Sequence, residues 1–209
     1  RAIPLYEQIL FMDPHHYFSY FSLGYLYDTK CNYSKALEYY YKSVACGPKF
    51  SPCIIYNNIG RCYELMLADE EEKRKERVEN ENETTPGDTA PDQQSNGDSS
   101  SQSTASHSIT ILIHNSLDDE WIREELSTDT CLKYYTMAID SYAKCYLARQ
   151  NRARLYEKMG RYEEAARDLQ FILDRSPFHY VAMIRLADLK FYHLNQLAEA
   201  IQMMKRIQF

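Results

Sequence analysis

The chain is 209 residues long, 44% hydrophobic and 26% charged, enough for one or two globular units with a real core and too apolar for global disorder. Its 30 acidic residues against 24 basic ones leave a net charge of −6, which lacks the basic balance of a dedicated nucleic-acid binder. Only 6 Gly and 7 Pro argue against an all-β fold, no run approaches the ~18 apolar residues of a membrane span, and 19 Tyr require a packing explanation.

In chain order, Ala2, Tyr6, Ile9 and Pro14 mark a lone helix that ends at a proline, so the chain reads as a fragment that starts inside a helical pattern. From Tyr17 a pattern with a period of about 34 residues begins. With Tyr17 as position 1, Tyr20 stands at 4, Leu23 at 7, Gly24 at 8, Tyr27 at 11, Ala36 at 20, Tyr40 at 24, Ser43 at 27 and Pro48 at 32. The same register returns as Tyr56, Ile59, Gly60 and Tyr63. It recurs as Asn151, Ala153, Tyr156, Ala165, Leu169, Ile172 and Pro177, and finally as Met183, Leu186, Ala187, Ala200 and Met204. Small residues at 8 and 20 let two helices, A and B, cross closely, and bulky residues at 4, 7, 11 and 24 fill the space around the crossing. Tyr20, Tyr27, Tyr40, Tyr56, Tyr63, Tyr135 and Tyr156 all fall on such positions, which accounts for much of the tyrosine surplus.

The second repeat starts at Cys53, and its position 20 is displaced from residue 72 to Cys131, an insertion of 59 residues inside one repeat. Residues 68–127 carry 16 acidic and 5 basic side chains, so an acidic tether of net −11 joins scaffold parts of net +5. The Asp69 to Arg77 run reads as a solvated extension of helix A, and residues 79–108, rich in Glu, Thr, Gln, Asn and Ser, read as disordered. Ser99, Ser100 and Ser101 are open to kinases and the tether could fold across the scaffold's own groove, but a solvated loop is the preferred reading because an insertion adds little closure entropy. Ile109, Ile111, Leu112 and Ile113 then form a strand-like run, and Trp121-Ile122-Arg123-Glu124-Glu125-Leu126 reads as a short helix. This returning arm is expected to pack on its own scaffold, in preference to the alternative of a partner-binding motif. The organisation expected is 1–67 for the first part of the array, 68–127 for the insertion and 128–209 for the second part, with Ile201 to Phe209 a helix B cut before its proline.

The repeating pattern resembles the tetratricopeptide repeat over everything but the insertion. That resemblance implies an all-α, right-handed superhelical solenoid of antiparallel helix pairs acting as a protein-interaction scaffold. Its ligand-facing surface lies on the A helices, at positions 2, 5, 6, 9 and 12. These are Phe18, Phe21, Ser22, Tyr25 and Asp28, then Asn57, Asn58, Arg61 and Glu64. Leu147, Gln150, Asn151, Arg154 and Glu157 follow, then Val181, Ile184, Arg185 and Asp188. Phe18, Phe21, Tyr25, Asn57, Asn58, Arg61, Asn151, Arg154 and Arg185 are the groove candidates: asparagine amides hold an extended backbone and arginine forks suit acidic or carboxylate-bearing peptides. The arginines could equally pair with neighbours such as Glu64 and Glu157. Asn151 and Arg185 fit two places of the carboxylate clamp of chaperone-binding repeats, but Val181 stands where that clamp needs a lysine.

A narrower resemblance rests on Asn57-Asn58-Ile59-Gly60, Asn151 to Met159, Glu164-Ala165, Ile172-Leu173, Pro177 and Arg185-Leu186. These motifs are similar to the tetratricopeptide scaffold subunit of the RNA polymerase II-associated Paf elongation complex, which implies a nuclear, non-enzymatic scaffold. The long acidic insertion departs from that family's pattern. A rival reading is the substrate-recruiting arm of an enzyme with its catalytic domain elsewhere.

No catalytic, cofactor or metal motif is legible: the six His form no H-E-x-x-H, and no G-x-G-x-x-G, Walker A or G-x-S-x-G occurs. His15, His16 and His179 fall in turns between repeats. The sequons at Asn32 and Asn82 are weak. Six cysteines without a C-x-x-C pair, mostly among helical apolar residues, suit a reducing intracellular compartment, nuclear or cytoplasmic. Partners are therefore expected to be proteins, with no small-molecule substrate, no membrane and no direct nucleic-acid contact.

Overall fold

A computed structural model describes residues 2–47, 52–83, 109–115 and 120–207. Among them the helices are α1 (Ala2–Met12), α2 (Tyr17–Asp28), α3 (Tyr33–Ala45), α4 (Cys53–Glu83), α5 (Thr128–Ser141), α6 (Tyr146–Lys158), α7 (Tyr162–Arg175), α8 (Tyr180–Tyr192) and α9 (Leu197–Ile207). Strands β1 (Thr110–Asn115) and β2 (Glu120–Glu125) lie between α4 and α5. The A helices α2, α4, α6 and α8 pack on the B helices α3, α5, α7 and α9, forming a solenoid of helix pairs. Pro48 and residues 84–108, with the serines at 99 to 101, lie outside the described residues.

The sequence chooses where these helices start and stop. His16, Asn32, Ser127 and His179 each accept a backbone N–H of the first turn, capping α2, α3, α5 and α8. Of the turn histidines, His16 and His179 are thus helix caps, and the side-chain oxygen of Asn32 in the sequon is occupied in the same way. Between A and B helices the chain passes through a left-handed residue at Cys31 (φ 57°) and again at Gly160 (φ 73°). Only the second is a residue that adopts this conformation freely.

The expected register is reproduced in the interior. Leu23, Ala36 and Tyr40, then Ile59, Tyr63, Cys131 and Tyr135, then Ala153, Ala165, Leu169 and Ile172, then Leu186, Ala187 and Ala200 are all fully buried. An added Cβ at Gly24 would lie 2.7 Å from the Tyr40 ring, and one at Gly60 would lie 3.0 Å from Tyr135 and 3.3 Å from the Cys131 carbonyl. The A/B crossing is close because those positions carry no side chain. Gly60 meeting Cys131 shows that α5 closes the interrupted repeat.

Helix α4 continues past the repeat to Glu83, so residues 79–83, expected to be disordered, are helical. Lys73 pairs with Asp69 at 2.8 Å and Glu70 at 3.0 Å, and such i,i+3 and i,i+4 pairs sustain a solvated helix. The returning arm also differs from expectation: residues 120–125 form a strand, not a helix. Antiparallel pairing of Ile113 with Ile122 and of Ile111 with Glu124 turns Ile109, Ile111, Ile113, Ile122, Glu124 and Leu126 towards the scaffold. The period-two stripe, satisfied by β1, outweighs the helix preference of its glutamates. Glu124, the polar member of that stripe, accepts from Lys133 at 2.5 Å and from the Tyr134 hydroxyl at 2.8 Å. Tyr134 in turn accepts from Tyr41 at 2.6 Å, and Tyr41 meets Tyr63 at 3.0 Å. Burial, ahead of neighbouring charge, raises all three tyrosines above their ordinary pKa, so these hydroxyls remain protonated donors.

Candidate functional site

The A helices bring the groove candidates together, but they are joined to one another. Position 12 of one repeat carries an acid and position 9 of the next an arginine. Arg61 pairs with Asp28 and Arg154 with Glu64, the latter at 2.9 Å. Arg185, at position 6, pairs with Glu157 at 2.7 Å and donates to the Gln150 carbonyl at 3.0 Å. The arginines thus follow the alternative of pairing with neighbouring acids. Glu64 also accepts from Lys158 at 2.8 Å and from the Tyr135 hydroxyl at 2.9 Å. Burial alone would raise its pKa; the Lys158 and Tyr135 hydrogen bonds, with the charges of Arg154 and Lys158, outweigh it and hold the carboxyl below its ordinary value.

A hydrogen-bond chain runs beside this ladder. Asn151 donates to Asn57 at 2.9 Å, Asn57 to Asn58 at 3.3 Å, Asn58 to the Tyr40 hydroxyl at 3.2 Å, and Tyr40 to buried Asp28 at 3.2 Å. The amides expected to hold a peptide backbone therefore tie α6 to α4 and α4 to α3, with Asn57 and Asn58 buried. The clamp residues Asn151 and Arg185 are both engaged within the scaffold.

Exposed apolar side chains recur along the A helices, beside the exposed Asp188 at position 9 of α8. Position 2 of the repeats is Phe18, Ile54, Leu147 and Val181, each between 51% and 55% exposed. Tyr25 and Ile184 are also exposed, and Phe21 is half-buried. The aromatic patch on α2 is thus the first step of a line that recurs at each A-helix start. Ile54 was missed as a candidate; it was legible, because Phe18, Leu147 and Val181 occupy the same position. Among the described residues no cluster of three or more His, Cys, Asp or Glu is placed to hold a metal, and no helix is long and apolar enough to cross a membrane.

Comparisons with known proteins agree with this architecture. Residues 1–49 and 151–208 match the family model described as tetratricopeptide repeat. No curated protein matches the chain by sequence. Among solved structures, MamA superposes with a TM-score of 0.60 at 14% identity, covering 98% of this chain and 83% of that one. YrrB, described as a tetratricopeptide repeat protein with an unusual peptide-binding site, does so at 0.54 and 15%, covering 98% and 74%. A tetratricopeptide repeat protein from Parabacteroides merdae gives 0.56 at 17%, covering 91% and 52%. With about half the chain matched by the family model and the interior following its register, the chain belongs to the tetratricopeptide repeat family.

Proposed function

We propose that the chain is a non-enzymatic scaffold, part of a larger intracellular complex, whose A-helix face receives an extended segment of a partner protein. The observation that carries this reading is the line of exposed apolar side chains, Phe18, Ile54, Leu147 and Val181. Apolar surface repeated on one face of a solenoid suits alternate apolar side chains of a bound segment. Acidic side chains of the same segment reach Arg154 and Lys158, about half exposed on the rim. The peptide-binding site named for YrrB supports the class of function and none of its details.

The test is affinity purification of the full-length protein, read by mass spectrometry, against two variants of unchanged helicity. A Phe18/Ile54/Leu147/Val181 quadruple serine variant should lose the partners, and an Arg61/Arg154/Arg185 triple alanine variant should bind with weaker salt dependence. An unchanged partner set from the quadruple variant would move the functional surface elsewhere. The Asn57 to Gly60 and Asn151 to Met159 motifs favour a narrower proposal, a nuclear elongation-complex scaffold; absence of RNA polymerase II subunits from the purified complex would remove it.

A further inference from the structure

One repeat breaks the rule the others keep. Positions 4 and 7, which fill the A/B crossing, are Tyr20 and Leu23, Tyr56 and Ile59, and Met183 and Leu186 in three repeats. In the repeat formed by α6 and α7 they are Arg149 and Arg152. Both side chains are largely buried, and both close on buried Asp168 of α7. Arg149 meets it at 3.0 Å, and Arg152 grips it through two nitrogens at 2.7 and 2.8 Å. Arg152 also donates to Thr136 of α5 at 3.0 Å, and Arg149 to the Ala143 carbonyl at 3.2 Å. Phe171 stacks with two guanidinium groups, Arg149 at 3.5 Å and Arg175 at 3.6 Å from its ring centre. A cleft of about 350 Å³ opens here between α6 and α7, and Arg167 completes its wall.

Holding two helices together does not require this arrangement, because an apolar pair does so in every other repeat without desolvating ions. The charge is also unbalanced. Arg149, Arg152, Arg167 and Arg175 face Asp168 and Asp140, while Glu164 is taken by Arg161, which leaves an excess of two positive charges. Burial, ahead of the like charges of Arg152 and Arg175, lowers the pKa of Arg149 in spite of Asp168, whereas the Asp168 hydrogen bond and charge outweigh burial at Arg152 and raise it.

We propose that this cleft is an anion site that takes a phosphorylated side chain of a partner protein. A phosphate monoester carries about −1.5 to −2 charges and three acceptor oxygens, which match two surplus positive charges and several guanidinium forks. A carboxylate neutralises half of that surplus. A polynucleotide or an anionic membrane needs basic groups repeated along a surface, and the equivalent positions of the other repeats are uncharged. The cleft uses positions 4 and 7 of α6, not the 2, 5 and 9 positions of the proposed segment-binding face, so the two readings stand or fall separately.

The test follows arginine Nε–H resonances of the ¹⁵N-labelled chain during titration with inorganic phosphate, a blocked Ala-phosphoserine-Ala peptide, and its Ser and Glu counterparts. The phosphopeptide should shift Arg149, Arg152 and Arg167 saturably and bind at least ten-fold tighter than the Glu peptide. Arg167→Gln combined with Arg175→Gln, both on exposed side chains, should weaken it at least five-fold, while Arg206→Gln on α9 leaves it unchanged. A third variant restores the repeat's rule: Arg149→Met, Arg152→Met and Asp168→Leu together should keep the melting temperature and abolish binding. No saturable shift with the phosphopeptide, equal affinity for the Glu peptide, or unaltered binding in the Arg167/Arg175 variant would each overturn the proposal. Tight binding of inorganic phosphate with none of the phosphopeptide would overturn it as well.

Discussion

The second and third repeats make opposite compromises. The α4/α5 pair is separated by 59 inserted residues, yet its crossing obeys the repeat rule, with Gly60 against Cys131 and Tyr135 and a fully buried Ile59 and Tyr63. The α6/α7 pair is continuous in sequence, yet its crossing carries two arginines and an aspartate where the others are apolar. Continuity of the chain is therefore neither needed for a repeat to close nor enough to keep its interior dry. A loop adds only slowly growing closure entropy, whereas a buried charge must be matched on the spot.

The largest expected effect breaks the charged crossing. Asp168→Ala leaves Arg149 and Arg152 buried without their acid and should cost about 3–5 kcal/mol, read by urea unfolding. A loss under about 1 kcal/mol would mean that solvent in the cleft compensates Arg149 and Arg152 as well as Asp168 does.

Next come the close crossings. Gly24→Ala places a methyl 2.7 Å from the buried Tyr40 ring and should cost about 1–3 kcal/mol, and Gly60→Ala, with 3.0 Å of room, less. Arg61→Ala, which a groove position alone would make nearly silent, strips the pairing partner from buried Asp28 and should cost about 1–3 kcal/mol. Equal and negligible losses in all three would show that the crossings relax freely.

A smaller effect follows pH. Glu64 has a lowered folded pKa, so its contribution is fully present above the unfolded value of about 4.3 and is lost as pH falls through the folded value. Chemical unfolding between pH 7 and pH 3 should show a stability decline that is shallower in Glu64→Gln. Parallel curves for the two proteins would place the acid sensitivity elsewhere.

The smallest effect tests the interruption itself. Deleting residues 84–108 should leave the melting temperature within a few degrees, since each doubling of loop length costs only about 0.6 kcal/mol. Loss of cooperative unfolding would show that this segment does more than connect.

The repeat register was readable because every packing position is defined locally: Gly24, Ala36 and Tyr40, or Ala153, Ala165 and Leu169, sit at spacings that one helix pair imposes on itself. Helix α5 was readable for the same reason, since Cys131 and Tyr135 kept their template places after the insertion. The strand at 120–125 was not, because its conformation depends on pairing with β1 and on Tyr134 and Lys133 receiving Glu124. The exposed line from Phe18 to Val181 was half legible, being a periodic pattern whose exposure only packing decides.

By itself, then, the sequence determined the fold class and the interior of each repeat, because short-range periodicity and side-chain size suffice for that. Which polar residues are free was decided only in three dimensions. Arg61, Arg154 and Arg185 find acids on neighbouring elements 28 to 90 residues away in sequence, Asn151 finds Asn57, and Arg149 and Arg152 share Asp168. Repeat positions name possible partners for some of these, as position 12 and the next position 9 do for Asp28 with Arg61 and Glu64 with Arg154, but only the stacking of one repeat on the next supplies the few ångströms over which a charge chooses its counterpart.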